Sequence, residues 1–435
     1  MNKSFCVYPF YNINTNTDGS LKLCCSINEN KHITKSDGTE FNLGIDDIDD
    51  VWYSEYMQTI RRQMIEGIRP SDCDVCWRLE DNGLKSSRIY ANADKKLSDD
   101  HMVIDENPPL PTSLELRLGN FCNLRCNSCW SISSDRIYDE RSKMISDSSI
   151  PNWAHNEYLH EINLANEINF KWYDTSEFEK NIKKLSPNLN RLYMTGGEPT
   201  IINKNVEVLK IIKQNSSGNE CAVSFTTNGT KWEESFYNEV TMFPSGEVQV
   251  SIDDVGDRNT YIRYPTKWQQ IEHTMDNIRQ TFPTTWRINI CTVFQIYNYN
   301  NIPNLIKWII DKIIQYNENH HLRENGEMVD EHLILWSPII LDFPERLNVL
   351  NIPNSYRWEA ADELEKFITT ISEDIAPNFL WQNGAQQIIN LLRSNVIEPS
   401  TDMMRQFYEY NALIDKFRKT NFSNVFPELQ DIGIK

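Results

Sequence analysis

Short apolar runs alternate with longer amphipathic stretches between Leu114 and about Trp336. Six of the runs have the length of β-strands and end in polar or turn-forming residues, whereas the longer stretches repeat apolar residues at helical spacing. The predicted strands are LELRL, RLYMT, CAVSFTT, EVQVSID, RINICTVFQI and HLILW, and the predicted helices include IINKNVEVLKIIKQ, KWQQIEHTMDNIRQ and NIPNLIKWIIDKIIQ. A repeated order of strand, helix, strand predicts parallel strands in an open sheet or a barrel. In both, chemistry gathers at the carboxyl ends of the strands.

The pattern changes on either side of this α/β segment. Residues 1–95 hold five cysteines and many turn-forming residues, and the polar, proline-containing stretch over residues 96–112 is typical of a linker. Residues 343–435 carry helical patterns such as WEAADELEKFITTI and MMRQFYEYNALIDKF. We therefore predict a cysteine-rich N-terminal domain, a linker, an α/β domain over residues 113–342 and a helical C-terminal region.

Charge and composition exclude several classes of partner. The 435 residues carry 62 Asp plus Glu against 43 Lys plus Arg, a formal net charge of −19, which argues against nucleic acid and anionic membranes as partners. The sequence has neither an apolar signal-peptide core nor a run of eighteen apolar residues, so we predict a cytoplasmic protein. In a reducing compartment, ten cysteines gathered mainly in short clusters indicate metal ligands rather than disulfides.

One short loop, FCNLRCNSCW, places Cys122, Cys126 and Cys129 directly after the first strand of the α/β segment. Thiolates are the ligands of iron-sulfur clusters, and three of them leave one iron of a four-iron cube without a protein ligand. An open coordination position of this kind can bind a substrate or a cofactor. The alternative is a zinc or iron site that a distant Cys or His completes.

This CxxxCxxC loop resembles the signature of the radical S-adenosylmethionine (SAM) superfamily, and RLYMTGGEPT matches that family's GGE motif after the second strand. The resemblance implies a partial (β/α)6 TIM-like barrel in which the open iron of a [4Fe-4S] cluster binds the amino and carboxylate groups of SAM. One electron from the cluster then cleaves SAM, and the resulting radical abstracts hydrogen from a substrate. The cofactor supplies this chemistry, and the protein supplies position and the exclusion of water.

The resemblance also implies a set of SAM-binding residues at successive strand ends. They are Gly196, Gly197 and Glu198 after the second strand, Asn228 after the third, Ser251 and Asp253 after the fourth, and Arg263 beyond it. Taken singly, each is equally typical of a cap or a turn. One departure is Ser128, where the family has an aromatic residue before the third cysteine, although Trp130 follows it. Sixty-six residues separate Cys129 from Gly196, which indicates either a lid or substrate-recognition insertion or ordinary surface elaboration.

A second group of cysteines lies in the N-terminal domain, at Cys6, Cys24, Cys73 and Cys76. Their order, with a glycine before Cys24 and a helix before the CxxC pair, resembles the twitch and SPASM extensions of radical SAM enzymes. Those extensions use a β-hairpin and a helix to hold an auxiliary [4Fe-4S] cluster. A structural zinc ribbon is the alternative, and Cys25 could replace Cys24 as a ligand. Cys221 and Cys291 lie in predicted strands, where a core role is expected.

Together these patterns predict a radical SAM oxidoreductase or modifying enzyme with two [4Fe-4S] clusters and SAM. The expected reaction oxidises or cross-links a small molecule or peptide, with electrons from a donor such as flavodoxin or ferredoxin. The sequence does not identify a catalytic side chain. The alternative is a non-catalytic, metal-stapled binding protein with zinc sites, or an iron-sulfur electron carrier.

Overall fold

The computed structural model describes residues 4–28, 30–81, 85–93, 103–215, 221–318, 334–371, 381–395, 399–430 and 432. The chain divides into two compact units. Unit 1 consists of Met1–Phe121, Ile168–Phe225 and Glu233–Ser245, and unit 2 consists of Cys122–Glu167, Thr226–Trp232 and Gly246–Lys435.

Strands and helices alternate along most of the described chain. The strands are β1 (Asn12–Thr15), β2 (Leu21–Lys22), β3 (Ser113–Arg117), β4 (Arg125–Cys126), β5 (Arg191–Thr195), β6 (Ala222–Thr227), β7 (Gly246–Ser251), β8 (Arg263–Tyr264), β9 (Trp286–Phe294) and β10 (Ile334–Ile340). The α-helices are α1 (Tyr8–Tyr11), α2 (Ile48–Trp52), α3 (Glu55–Glu66), α4 (Asp74–Asp81), α5 (Ser87–Ala93), α6 (Asp135–Met144), α7 (Asn152–Asn166), α8 (Ser176–Leu185), α9 (Asn203–Asn215), α10 (Glu234–Val240), α11 (Gly256–Ile262), α12 (Trp268–Thr281), α13 (Ile302–Glu318), α14 (Asn354–Thr370), α15 (Trp381–Leu392), α16 (Thr401–Arg418) and α17 (Phe422–Val425).

Unit 1 contains parallel strands hydrogen-bonded in the order β6 (as far as Phe225), β5, β3, β1, with β2 antiparallel at the edge. The hairpin of β1 and β2 turns at Gly19, whose φ of 85° lies in the region that glycine adopts without strain. Helix α3 begins at the Ser54 cap, whose hydroxyl accepts from the Met57 amide, and ends at Gly67 with φ 83°. The predicted N-terminal hairpin and helix are therefore both present, and the hairpin extends the parallel strands.

Unit 2 contains the parallel strands β7, β9 and β10 and a separate antiparallel pair made by β4 and β8. The two predicted C-terminal helices are confirmed as α14 and α16. Helix α16 begins at the Ser400 cap, which accepts from the Met403 amide at 3.2 Å, and ends at Lys419 with φ 58°.

The sheet strands alternate apolar and polar residues with the period of two that a strand with one solvated face requires. In β7, Val248 and Val250 are fully buried, whereas Glu247, Gln249 and Ser251 are partly exposed. In β9 and β3 the same alternation separates a buried apolar face from a polar one. One face of the strands thus builds the core under the helices, and the other presents polar groups.

The predicted α/β class and the mostly parallel strands are confirmed, and all six predicted strands are present. The last prediction, HLILW, starts at His332, which lies outside the described residues, and the structure describes its strand as Ile334–Ile340. The domain boundaries at residues 95, 112 and 342 stay predictions. In the part of the chain that the structure describes, each helix is too short or too polar to cross a membrane.

Candidate functional site

The three-cysteine loop is folded tightly by its own main chain in unit 2. Cys126 lies in β4 opposite Arg263 in β8, and the Asn127 amide donates to the Ile262 carbonyl at 2.8 Å. The Cys129 amide donates to the Cys126 carbonyl at 3.0 Å. These bonds turn the chain back on itself between the second and third thiols, so that both belong to one small turn.

The start of α6 holds the front of the loop. Ser134 caps this helix by accepting from the Ile137 amide, and its hydroxyl donates to the Leu124 carbonyl at 2.9 Å. Asp135, in the first helical turn, accepts from the Cys122 amide at 3.0 Å. Residues of the predicted insertion therefore fix the main chain beside the first thiol.

A buried ion pair from the same insertion holds the end of the loop. Arg141 on α6 pairs with Glu161 on α7, and both are less than 5% exposed. Arg141 Nη2 donates to the Cys129 carbonyl at 3.0 Å, and Glu161 Oε2 accepts from the Ser131 amide at 2.9 Å. The guanidinium cation is thereby placed beside the third thiol, where it favours the thiolate.

The C-terminal helix α16 braces the middle of the loop. Arg418 donates to both carboxylate oxygens of Glu140, at 3.0 and 2.7 Å, and to Asn127 Oδ1 at 2.7 Å. The Tyr410 hydroxyl donates to the Asn127 carbonyl at 3.0 Å. Arg418 and Glu140 are 6% and 8% exposed, so this is a buried bidentate pair between helices far apart in sequence.

Arg263 and Asp253 form a third ion pair at the loop, in which the aspartate is fully buried and the arginine is largely covered. Arg263 Nη1 donates to Asp253 Oδ2 at 3.1 Å, and Asp253 Oδ1 accepts from the Val293 amide at 2.8 Å. Burial alone would lower the pKa of Arg263, but Cys126 and Asp253 raise it above its ordinary value. Burial raises the pKa of the Cys126 thiol, and the Arg263 charge opposes that shift. Burial and the neighbouring Cys126 raise the pKa of Cys129 to about 12.

Two other predicted SAM contacts lie in unit 2. Asn228 follows β6 and donates to Asn123 Oδ1 at 2.8 Å, while its own Oδ1 accepts from the Thr230 amide at 3.0 Å. Asn123 lies between Cys122 and Cys126, so Asn228 is linked directly to the cysteine loop. Ser251 is the last residue of β7 and is partly exposed.

The GGE turn lies in unit 1, where Gly196 and Gly197 have φ of 85° and 49°. A Cβ on Gly197 would lie 2.2 Å from the carbonyl oxygen of Phe121, so only glycine allows this close approach. The Glu198 amide donates to that same carbonyl at 2.8 Å. The Glu198 carboxylate is 2% exposed and accepts from the Thr200 hydroxyl at 2.7 Å, which caps the following turn.

A small cavity beside Cys129 is lined by Ser128, which stands where the family has an aromatic residue, and by Trp130, which follows the third cysteine. It has a volume of about 100 Å³ and is lined by Ser128, Cys129, Trp130, Arg141, Glu157, Glu161, Phe343 and Pro344. Trp130 thus faces the same space as the serine that stands where an aromatic residue was expected.

The four N-terminal cysteines meet around one cavity in unit 1. Its lining consists of Cys6, Tyr8, Cys24, Ser26, Ile27, Cys73, Val75, Cys76, Ser87 and Arg88. Burial raises the pKa of Cys24 to about 12, with Cys25 and Cys76 adding to the shift. Cys25 itself is exposed and is absent from the lining. Cys24 therefore fits the predicted ligand position better than its neighbour does.

The spacing of these thiols bears on the group that they could hold. Within the described residues, no three His, Cys, Asp or Glu side chains come close enough to bind a single metal ion. A zinc ion needs its thiolates about 2.3 Å from one point. The four N-terminal thiols line one cavity, and the choice between zinc and an iron-sulfur cluster stays a prediction.

Several residues at these sites carried no local sequence signal. Arg141, Glu161 and Arg418 lie on helices whose patterns are merely amphipathic, and only the tertiary structure brings their charges to the loop. The core role predicted for Cys221 is confirmed, because it is 2% exposed. The same prediction is wrong for Cys291, which lies partly exposed on the polar face of β9. The strict alternation of RINIC could have indicated this.

The comparisons with known proteins gave one family match and several similar solved structures. Residues 116–309 match the family model described as Radical SAM superfamily. The comparison with curated proteins found no match. Among solved structures, the chain is similar to native anSMEcpe with bound AdoMet, at 14% identity and a TM-score of 0.38 over 66% of this chain and 68% of that one. It is also similar to Streptococcus suis SuiB bound to the precursor peptide SuiA, at 12% identity and a TM-score of 0.34 over 91% of this chain and 78% of that one. These values are too low to support an argument about substrate.

Proposed function

We propose that this chain, which carries a radical SAM superfamily domain over residues 116–309, is a radical SAM enzyme with two [4Fe-4S] clusters. Cys122, Cys126 and Cys129 bind the cluster that cleaves SAM. When bound, this cluster and SAM supply a radical able to abstract hydrogen from an unactivated carbon. The enzyme oxidises or cross-links a small molecule or peptide in the cytoplasm, with electrons from a donor such as flavodoxin or ferredoxin.

The observation that carries this proposal is the cation-lined setting of the three thiols. Arg263 acts electrostatically on Cys126 and Cys122, and Arg141 acts on Cys129. The Arg141 guanidinium is buried and that of Arg263 is largely covered, and each is held by a carboxylate, so both stay in place as fixed positive charges. Fixed cations stabilise the thiolates that a cluster requires, which is the usual work of the shell around a metal site.

The remaining site residues position ligands rather than react. Arg263 is the residue best suited to bind the SAM carboxylate. Asp253 accepts only from Nη1 of its guanidinium, and its Nε has no partner among the described residues. Asn228 and Ser251, in the same unit, supply further polar contacts for SAM.

Glu198 contributes mainly to local structure, because its carboxylate accepts from the Thr200 amide and so caps the Pro199–Ile201 turn that follows the GGE motif.

The second cluster is bound by Cys6, Cys24, Cys73 and Cys76. The arrangement of these four thiols around one cavity supports this assignment. Arg88 lines the same cavity, and its charge opposes the burial that raises the pKa of Cys73. Four protein ligands leave no iron open, so this cluster transfers electrons and does not bind SAM.

Anaerobic reconstitution tests the proposal. Holoprotein prepared with iron and sulfide is expected to contain about eight irons per chain and to form 5′-deoxyadenosine from SAM when reduced with dithionite. Cys126→Ala is expected to lose about four irons and all SAM cleavage, whereas Cys221→Ala, which removes a buried thiol elsewhere, retains both. Stoichiometric zinc after iron-replete anaerobic expression would contradict the proposal and favour a zinc-stapled binding protein.

A further inference from the structure

A chain of side-chain hydrogen bonds crosses the polar face of the strands in unit 2. The Thr226 hydroxyl donates to Gln249 Oε1 at 2.9 Å, and Gln249 Nε2 donates to Glu247 Oε1 at 2.8 Å. From the neighbouring strand, Asn289 Nδ2 donates to the same Glu247 oxygen at 3.2 Å. The parallel register places Gln249 opposite Asn289, so both amides point their donors towards one carboxylate.

The polarity of this network is fixed. A carboxylate only accepts hydrogen bonds, so turning either amide round would set two oxygens against each other. The atom of Asn289 that faces away from Glu247 is therefore its Oδ1. Asn289 is 8% exposed, and its Oδ1 has no hydrogen-bond partner in the described part of the chain. A buried acceptor without a donor is unfavourable, and native proteins rarely keep one without a purpose.

Glu247 also has no cationic partner in the described part of the chain. The described residues contain no ion pair to its carboxylate, and both bonds to it come from neutral amides on a single oxygen. Glu247 is partly exposed, so a ligand on the polar face can reach it. Two hydrogen-bond acceptors on adjacent strands are thus available to a ligand: the anionic Glu247 carboxylate and the buried, neutral Asn289 Oδ1.

We infer that Glu247 and Asn289 bind an ammonium group of the substrate. An ammonium carries three donors and a positive charge, which matches one carboxylate oxygen and one amide oxygen. A hydroxyl offers a single donor and no charge. The net charge of −19 favours the approach of such a cation. The cation belongs to a lysine-like side chain of a peptide or to a free amine.

The position of the site suits a substrate that reaches towards the cysteine loop. Cys291 Sγ lies 4.0 Å from Gln249 Oε1, and its pKa is raised to about 12 by burial and then by Glu247. Strand β7 continues from Glu247 towards Asp253, which holds Arg263, over six residues or roughly 20 Å of extended chain. The identification of this ligand as the substrate rests on the proposed function. The binding of a cation at the site does not depend on that function.

Binding of small probes to the anaerobically reconstituted holoprotein tests the inference. The probes are N-acetyl-lysine methylamide, its neutral norleucine counterpart, cadaverine and 1-pentanol, titrated by ligand-observed NMR at low salt. We expect the two amines to bind at least tenfold more tightly than their neutral counterparts. Tighter binding of the lysine probe than of cadaverine identifies a peptide source, and the reverse identifies a free amine.

Two substitutions of equal charge change make the test specific. Glu247→Gln keeps the shape and removes the charge, and it should weaken amine binding about tenfold or more. Glu363→Gln makes the same change on the exposed face of α14 and should leave binding unaltered. Glu247→Asp, which keeps the charge, should retain part of the affinity and shows that loss in the Gln variant is not a folding defect.

Equal binding of lysine and norleucine probes, or equal effects of the two Gln variants, would overturn the inference. Preference for N-acetyl-arginine methylamide over the lysine probe would also overturn the assignment to ammonium. Formation of 5′-deoxyadenosine without added probe is measured in parallel. Its absence alongside charge-selective binding would refute the proposed function and leave the cation site standing.

Discussion

Replacing Arg418 with methionine tests whether the C-terminal helix holds the cysteine loop in place. Arg418→Met keeps the aliphatic volume and removes the guanidinium that binds Glu140 and Asn127. The loop loses the donor to Asn127 Oδ1, and the Glu140 carboxylate stays buried with its bidentate partner removed. Because Asn127 lies directly after Cys126, the change should reach the thiol geometry without touching a thiol.

The magnitude follows from burial. Arg418 and Glu140 are both less than 10% exposed, and breaking a buried pair by removing one partner costs about 3–5 kcal/mol. A shift of this size changes a folding equilibrium by roughly 10²- to 10⁴-fold. The double variant Arg418→Met with Glu140→Leu should recover much of the loss, because apolar residues can replace a buried pair at little cost.

The assays are urea unfolding and the iron content of the reconstituted holoprotein. The matched control is Arg405→Met, on the same helix, where the arginine pairs with Asp402 and Glu409 at the exposed surface. Surface pairs contribute little, so this variant should match the wild type. If both Met variants lost the same stability and retained the same iron, the proposed bracing of the loop by Arg418 would be wrong.

Three further changes give separable outcomes. Gly197→Ala is expected to lower the urea midpoint more than Gly38→Ala, although both residues have positive φ. The reason is that a Cβ at Gly197 would lie 2.2 Å from the Phe121 carbonyl oxygen, whereas a Cβ at Gly38 meets nothing within 4 Å. Equal losses in the two variants would mean that the positive φ alone accounts for the cost. In metal-free protein, alkylation of Cys129 by iodoacetamide should keep rising about tenfold per pH unit between about pH 7 and pH 10, since its pKa is raised to about 12; a plateau near pH 9 in mass spectra of its peptide would contradict this. Arg263→Gln should raise the KM for SAM about tenfold or more, measured by 5′-deoxyadenosine formation, and a change confined to kcat would remove Arg263 from SAM binding.

The strands and the cysteine groups could be predicted because their signals are local. LELRL and EVQVSID alternate strictly, and the structure turns each into a strand at that position. Cys122, Cys126 and Cys129 are close in sequence, so one loop must hold them together. The alternation also implies that residues such as Gln249 face away from the core. The role of these polar residues becomes clear only in the structure, where the neighbouring strand places Asn289 beside Gln249.

The groups that surround the thiols could not be predicted in this way. Arg418 and Asn127 are 291 positions apart, and nothing in the sequence of α16 distinguishes Arg418 from Arg405. Their difference is one of burial, which depends on how α16 packs on α6. The core prediction for Cys291 was wrong for a related reason. Cysteine is common in protein cores, and this cysteine was assigned to the core without regard to the face of its strand.

The long sequence separation between the loop and its brace has a consequence for biosynthesis. All four N-terminal thiols are made before residue 77, so their cavity can close while the rest of the chain is still on the ribosome. Arg418 follows Asn127 by 291 residues, a delay of roughly 15–60 s at ordinary rates of translation. During that interval the three-cysteine loop has its thiols and the nearby Arg141 but lacks the Arg418 guanidinium. We therefore expect the N-terminal cysteine site to mature first and the three-cysteine loop to load only after Arg418 has been synthesised.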